Sequence, residues 1–251
     1  MTASFPRRFL AAAFLAFAGL TTTLQAADGP TPYPDQKNEA AWPGKGPIRV
    51  MNWMVDNRKW FWTQREKDHG AVVFVGDSLT GNWNAKLMAE LFPGLKLANR
   101  GIGGDVSRGV LFRLKEDVLD LDPRAIVLCI GTNDLSAHAD PAVVTSNISL
   151  ILEQIRKQSA TVPVVLCQIP PRDSASAPTL PGAVGNLNTR IAKLGESQSH
   201  LAVLDLFSAL DTLDGGPKLE YFREDKLHLA DAGYRKWAEV LHPVFETLGV
   251  K

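Results

Sequence analysis

The sequence predicts an α/β fold built on a mainly parallel sheet. Three observations point to it. Five short β-type runs recur along the chain: "AVVFVG" (71–76), "LKLANR" (95–100), "AIVLCIG" (125–131), "VPVVLCQI" (162–169) and "LAVLDL" (201–206). Segments of helical spacing separate or follow them, at about 84–91, 106–118, 141–159, 183–198 and 231–247. The strands are continuously apolar, the pattern of a sheet covered on both faces. Strand alternating with helix implies right-handed βαβ units.

The chain of 251 residues is long enough for one domain with a well-buried core. Its formal net charge is zero, so no basic excess is available for phosphates, and nucleic acid is not expected as a partner. The first 26 residues read as a secretory signal peptide. Arg7 and Arg8 form a basic n-region, an apolar stretch runs from Phe9 to about Leu20, and a small-residue site follows near Ala26 and Ala27. The apolar stretch is short for a spanning helix of roughly 20 residues. The mature protein is therefore expected to be exported, periplasmic or secreted, with no integral membrane association. Losing Arg7 and Arg8 leaves 25 basic against 27 acidic residues, a charge of −2.

Residues 27–46 are rich in Pro, Gly and polar side chains and read as an extended arm leading into a domain over 47–251. From Pro47 to about Asp68, Val50, Trp53, Met54, Trp60 and Phe61 fall near helical spacing. Packing of this amphipathic helix onto the sheet is the expected use of its aromatics. A sugar-stacking face made by Trp53, Trp60 and Trp62 is the alternative. Cys129 and Cys167 lie inside apolar runs and read as small buried core residues. No Cys/His spacing suits a metal, and no cofactor is expected.

Ligand sites of open α/β sheets lie at the carboxyl ends of the strands, so the residues after each run matter most. The first ends in Gly76-Asp77-Ser78, the second in "NRGIGGD" (99–105), the third in "GTND" (131–134). A further stretch, "EDKLHLADAGY" (224–234), precedes the last helix. A serine hydroxyl needs a base to become a nucleophile, the base needs a carboxylate, and the oxyanion needs preorganised donors. Ser78 is the candidate nucleophile. Asp225 and His228, three apart, are the candidate carboxylate and base. The Ser78 and Gly104 N–H groups and the Asn133 side-chain amide are the candidate oxyanion donors. The first-strand "GDS" taken alone reads equally as a helix cap, and a lone D-x-x-H as an ordinary surface loop.

Together, "GDSL" (76–79), "NRGIGG" (99–104), "GTND" (131–134) and "DKLH" (225–228) resemble the four blocks of the GDSL, or SGNH, esterases and lipases. The run from Gly101 through Arg108 to Leu114 is similar to the branch near the platelet-activating-factor acetylhydrolase catalytic subunits. The resemblance spans about residues 70 to 245. It implies a flavodoxin-like three-layer sandwich with strand order 2-1-3-4-5. It also implies Ser78, His228 and Asp225 as a catalytic triad, with Gly104 and Asn133 as oxyanion donors. The expected activity is hydrolysis of short-acyl, chiefly acetyl, esters, with carbohydrate esters suited to an exported enzyme. A lysophospholipase or general lipase with the same residues is the first alternative. A carbohydrate-binding module that keeps the fold without turnover is the second.

Other residues carry smaller expectations. Asp77 should brace its turn through backbone N–H groups. Arg108 and Arg113 should hold loop and helix together through carboxylates such as Asp105. Trp83, five residues past Ser78, is a candidate wall of the substrate pocket. Arg172, on the Pro-rich loop after the fourth strand, is a candidate at the site entrance. "NIS" at 147–149 matches a glycosylation sequon but falls in a predicted helix, so it reads as accidental.

Overall fold

The computed structural model describes residues 28–196 and 198–251, together with Met1. The segment assigned to a signal peptide lies outside the described residues. The element order is α1 (Asn52–Asp68), β1 (Val72–Gly76), α2 (Ser78–Gly81), α3 (Ala85–Leu91), β2 (Leu97–Gly101), α4 (Ser107–Asp117) and β3 (Ala125–Cys129). Then come α5 (Thr132–Ser136), α6 (Pro141–Gln158), β4 (Val164–Cys167), α7 (Ala183–Gly195), β5 (Leu201–Leu204), α8 (Leu206–Leu210) and α9 (Asp231–Leu248). All five expected strands form, each slightly shorter than its apolar run. The three short helices α2, α5 and α8, of four or five residues each, are too brief to leave a periodic signal.

The sheet is wholly parallel with order β2-β1-β3-β4-β5. Because side chains alternate across a strand, each strand feeds two cores. Val73, Val75, Ile126, Leu128, Val164 and Leu166 meet Val110, Leu114, Ile148, Ile151, Leu187 and Ile191 of α4, α6 and α7. Phe74, Val127, Cys129, Val165 and Cys167 meet Leu87, Met88, Trp237, Leu241 and Phe245 of α3 and α9. Burying a side chain of this size contributes roughly 1.5–3 kcal/mol. Both cysteines are free and buried, as expected of core residues.

The arm does not merely lead into the domain; it lies along α4 and α6. Arg108 donates to the carbonyls of Glu39, Trp42, Pro43 and Gly46, so this arginine holds the arm, not the loop–helix junction. Thr31 bonds Glu116, and Trp42 and Tyr33 pack against Phe112. Asn147 is buried and bonded to Lys45 and Ser107, which agrees with an accidental sequon.

Helix α1 buries Met54, Arg58, Phe61 and Asp68, a stripe one residue off from the tryptophans. Trp53 and Trp60 are 51% and 55% exposed, so the helix packs, as expected, but through Met54 and Phe61 and not through these tryptophans. Arg58 tolerates burial because Glu116 and Asp117 neutralise it at 2.6 and 3.3 Å.

Candidate active site

Strand order reverses at β1 and β3: the chain runs outward to β2, then crosses back to β3. The cleft beyond the carboxyl ends of these strands is where an open α/β sheet binds ligands. Gly76 ends β1 beside Cys129 of β3, so close that a Cβ on it would lie 2.0 Å from the Cys129 carbonyl oxygen. Only glycine permits that approach. The chain then turns sharply at Asp77 and starts α2 with Ser78.

Asp77 caps α2 by accepting the Leu79 N–H at 2.9 Å, as expected. Its other oxygen is buried and has no partner among the described residues. Burial pushes this carboxyl up to about 7, against the opposing pull of the Leu79 amide. A proton on the carboxyl relieves the burial of a charge. Tyr234 of α9 donates its hydroxyl to the Leu79 carbonyl at 3.0 Å and ties the last helix to this turn.

The segment before α9 folds back as a small loop. Phe222 pairs with Leu229 across an antiparallel bridge, and the Arg223 N–H donates to the His228 carbonyl at 2.8 Å. Asp225 accepts the backbone N–H groups of Leu227 and His228 with one oxygen, at 3.0 and 2.9 Å. Its other oxygen lies 2.5 Å from His228 Nδ1. The opposite ring nitrogen, Nε2, is 2.9 Å from Ser78 Oγ. Burial alone would raise the Asp225 carboxyl, but the His228 ring and the two amides outweigh it and hold it down to about 2. This carboxylate therefore stays ionised and fixes the proton of His228 on Nδ1, leaving Nε2 to accept one from Ser78.

The loops after β2 and β3 meet beside this group. Asn133, in α5, donates one Nδ2 hydrogen to the Asp105 carbonyl at 2.9 Å, which leaves its second hydrogen for another acceptor. The Asp105 N–H donates to the Ile102 carbonyl at 3.1 Å and closes a turn centred on Gly103 and Gly104. A Cβ built on Gly103 would sit 3.9 Å from Ser78 Cβ, so this turn lies against the nucleophile candidate. Below it, Arg113 donates to the Asp105 carboxylate at 2.8 Å and to the Gly76 carbonyl at 3.1 Å. Through Asp105 this guanidinium holds the β2 loop to α4, the role expected of it, and through Gly76 it also ties that loop to the end of β1.

Two expectations are corrected. Trp83 is buried in the core, stacked on Tyr234 and in contact with Phe74 and Trp237, and at its edge lines a groove between α1 and α3 that none of Ser78, Asp225 and His228 lines. Arg172 donates to the Thr132 carbonyl and to Ser136 Oγ, at 2.9 Å each, and to the Ala177 carbonyl. Its guanidinium is engaged in bracing the loop after β4 on α5 and is not free for a substrate. Sequence reasoning in turn missed Arg49 and gave Trp53 other roles, whereas they bond the Gly104 and Gly103 carbonyls. Nothing in the pattern marks these contacts, because their partners are backbone atoms about 50 positions away.

The model of the GDSL-like lipase/acylhydrolase family matches residues 69–236, which include every block of the site. The chain belongs to this family. It is a family of lipases and acylhydrolases, and this protein is an ester hydrolase of that type. It is 28% identical over 202 residues to platelet-activating factor acetylhydrolase IB subunit alpha2 of Rattus norvegicus, covering 78% of this chain and 84% of that one. To the alpha1 subunit of Mus musculus it is 29% identical over 219 residues, covering 86% and 87%. Among solved structures, a GDSL-like lipase from Bacteroides thetaiotaomicron matches with a TM-score of 0.66 at 22% identity, over 75% of this chain and 97% of the other. A lipase/acylhydrolase from Enterococcus faecalis gives 0.59 at 23%, over 70% and 96%. The GDSL hydrolase fold, with the sheet order expected for it, is thus shared. Among the described residues no helix is long and apolar enough to cross a membrane.

Proposed function

We propose that this protein is an exported serine esterase that hydrolyses short-acyl carboxylic esters, acetyl esters above all, through Ser78, His228 and Asp225. The observation that carries the reading is His228, bonded at once to Ser78 Oγ and to Asp225. Ser78 Oγ attacks the ester carbonyl while His228 Nε2 takes its proton. The oxyanion that forms is held by the N–H groups of Ser78 and Gly104 and by Asn133 Nδ2. His228 then protonates the departing alcohol. Water, deprotonated by the same nitrogen, attacks the acyl-enzyme and releases the acid. Asp225 orients the ring throughout and offsets its positive charge in both transition states.

Short acyl groups suit the openness of the site: the His228 and Asp225 side chains are 26% and 40% exposed. The relatives named acetylhydrolases agree with an acetyl group. Export rests on the N-terminal sequence alone, and with it the choice of carbohydrate esters as substrates. The same relatives, named for platelet-activating factor, favour a lipid ester as the second reading.

One panel separates the two. The mature protein is offered nitrophenyl esters of increasing chain length, acetylated xylan and lysophospholipids, and kcat/KM is ranked. A maximum at acetate with turnover of the polysaccharide supports the proposal. A rate that climbs with chain length supports the lipid reading. Failure of a fluorophosphonate probe to label the folded protein overturns both.

A further inference from the structure

The turn that presents Gly104 is held from outside the sheet. It runs from Ile102 to Asp105 with two glycines at its centre, and Gly104 has φ +83°. A positive φ at the third residue is the mark of a type II turn. Types I and II differ by a flip of the central peptide, here the unit joining Gly103 to Gly104. With glycine on both sides, no side chain opposes that flip. A flipped peptide would put the Gly103 carbonyl where the Gly104 N–H stood, and so an acceptor where an oxyanion needs a donor.

Trp53 holds this peptide. Its indole N–H donates to the Gly103 carbonyl at 2.9 Å. In a trans peptide the carbonyl and the following N–H point in opposite directions. A bond that keeps the Gly103 oxygen toward α1 therefore keeps the Gly104 N–H pointed away from α1. Arg49 steadies the next peptide by donating to the Gly104 carbonyl at 3.3 Å, and a Cβ on Gly104 would lie 3.3 Å from Met54 Cε. The other side of the turn lies against Ser78. Among the described residues the Gly104 N–H has no acceptor. Burial does not account for a tryptophan at 53, since half of it is exposed while its neighbour Met54 is fully buried.

We propose that Trp53 is a positioning residue for oxyanion stabilisation: its indole N–H locks the Gly103–Gly104 peptide with the donor turned to the reacting carbonyl. This rests on the reading of Ser78 as nucleophile and Gly104 as oxyanion donor. It makes α1, outside the strand-end loops, part of the apparatus that sets turnover.

The test is steady-state hydrolysis of p-nitrophenyl acetate by wild type, Ser78→Ala, Trp53→Phe, and a chain carrying 3-benzothienylalanine at position 53. The last keeps the shape of the indole and replaces its N–H with sulfur. Loss of an oxyanion donor costs about 10²–10³ in turnover, so partial release of the peptide should lower kcat by about 10–100-fold in both position-53 variants. KM should move by no more than about twofold, and the affinity of a trifluoromethyl ketone, which mimics the tetrahedral intermediate, should fall in parallel with kcat/KM. Wild-type kcat in both variants overturns the proposal and leaves the Ser78 reading intact, provided Ser78→Ala is inactive. A loss of activity matched by a lower melting temperature, with ketone affinity unchanged, also overturns it. Full activity in Ser78→Ala overturns the catalytic reading and this proposal together.

Discussion

His228 Nε2 lies 2.9 Å from Ser78 Oγ although 150 positions of sequence separate them. The contact is not an accident of one rotamer. Asp225 and the Phe222–Leu229 bridge fix the loop that carries the ring, and Tyr234 ties the following helix to the Ser78 turn. Ser78→Ala should therefore abolish ester hydrolysis, by about 10⁴-fold or more, with the far-UV circular dichroism unchanged. Labelling by a fluorophosphonate should vanish with it. A variant that still turns over at a tenth of the wild-type rate would exclude Ser78 as the nucleophile.

Asp225 does two jobs that two substitutions can separate. One oxygen orients His228 and the other accepts two backbone amides. Asp225→Asn can keep the amide bonds through its carbonyl oxygen but presents the wrong partner to the ring. It should lose about 10⁴-fold in kcat and melt near the wild-type temperature. Asp225→Ala should lose activity to a similar degree and also melt several degrees lower. Comparable melting temperatures for the two variants would show that the loop does not depend on this carboxylate.

Asn133→Ala removes a side-chain donor and leaves the Asp105 carbonyl without that partner. A fall in kcat of about 10²–10³ with little change in KM is expected, because the donor strengthens its bond only as charge develops on the oxygen. Initial rates across a substrate series resolve the two constants. An effect confined to KM would place Asn133 in ground-state binding instead.

The fold and the candidate site are legible in the sequence because each has a local signature. Apolar runs of strand length marked β1 to β5, and the residues beyond them had to lie at one end of a parallel sheet. Ser78 and Asn133 are candidates by their place just beyond strand ends, and Asp225 and His228 by theirs just before the last helix. What stayed hidden depended on side chains that reach backbone. Trp53 and Arg49 bond carbonyls of the β2 loop, and Arg108 bonds carbonyls of the arm, and a carbonyl has no identity in a sequence. Trp83 and Arg172 failed for the opposite reason. Trp83 stands close to Ser78 in sequence and Arg172 lies on a strand-end loop, but α2 is a single turn that directs Trp83 into the core, and Arg172 braces its loop on α5.

The carboxyl of Asp77 offers a test through stability. Burial raises it to about 7, well above its value in an unfolded chain, so the folded state binds a proton that the unfolded state has released between about pH 4 and 7. The sign follows from linkage: this contribution is complete below pH 4, declines as pH rises, and is gone above about pH 7. The slope from one such group is at most about 1.4 kcal/mol per pH unit. Asp134, buried and likewise raised to about 7, adds to it. Asp77→Asn retains the oxygen that caps α2 and removes the titration. Urea unfolding from pH 4 to 8 should therefore show a shallower decline for the variant than for wild type. Parallel curves would mean that Asp77 is ionised in the folded protein at low pH.

Arg113 is fully buried and holds two carboxylates, Asp105 at 2.8 Å and Asp117 at 3.3 Å, while also donating to the Gly76 carbonyl at the end of β1. Arg113→Met fills much of the same volume but strands Asp105 and loosens Asp117, which keeps Arg58. Breaking a buried pair in this way costs about 3–5 kcal/mol, more than a lost surface contact ever does. The urea midpoint should drop accordingly, and activity should fall as well, since Asp105 closes the Gly103–Gly104 turn and holds Asn133. Adding Asp105→Asn to Arg113→Met removes the stranded charge and should restore part of the stability. A double variant less stable than the single would show that the guanidinium acts by bridging the β1 and β2 loops and not by neutralising Asp105.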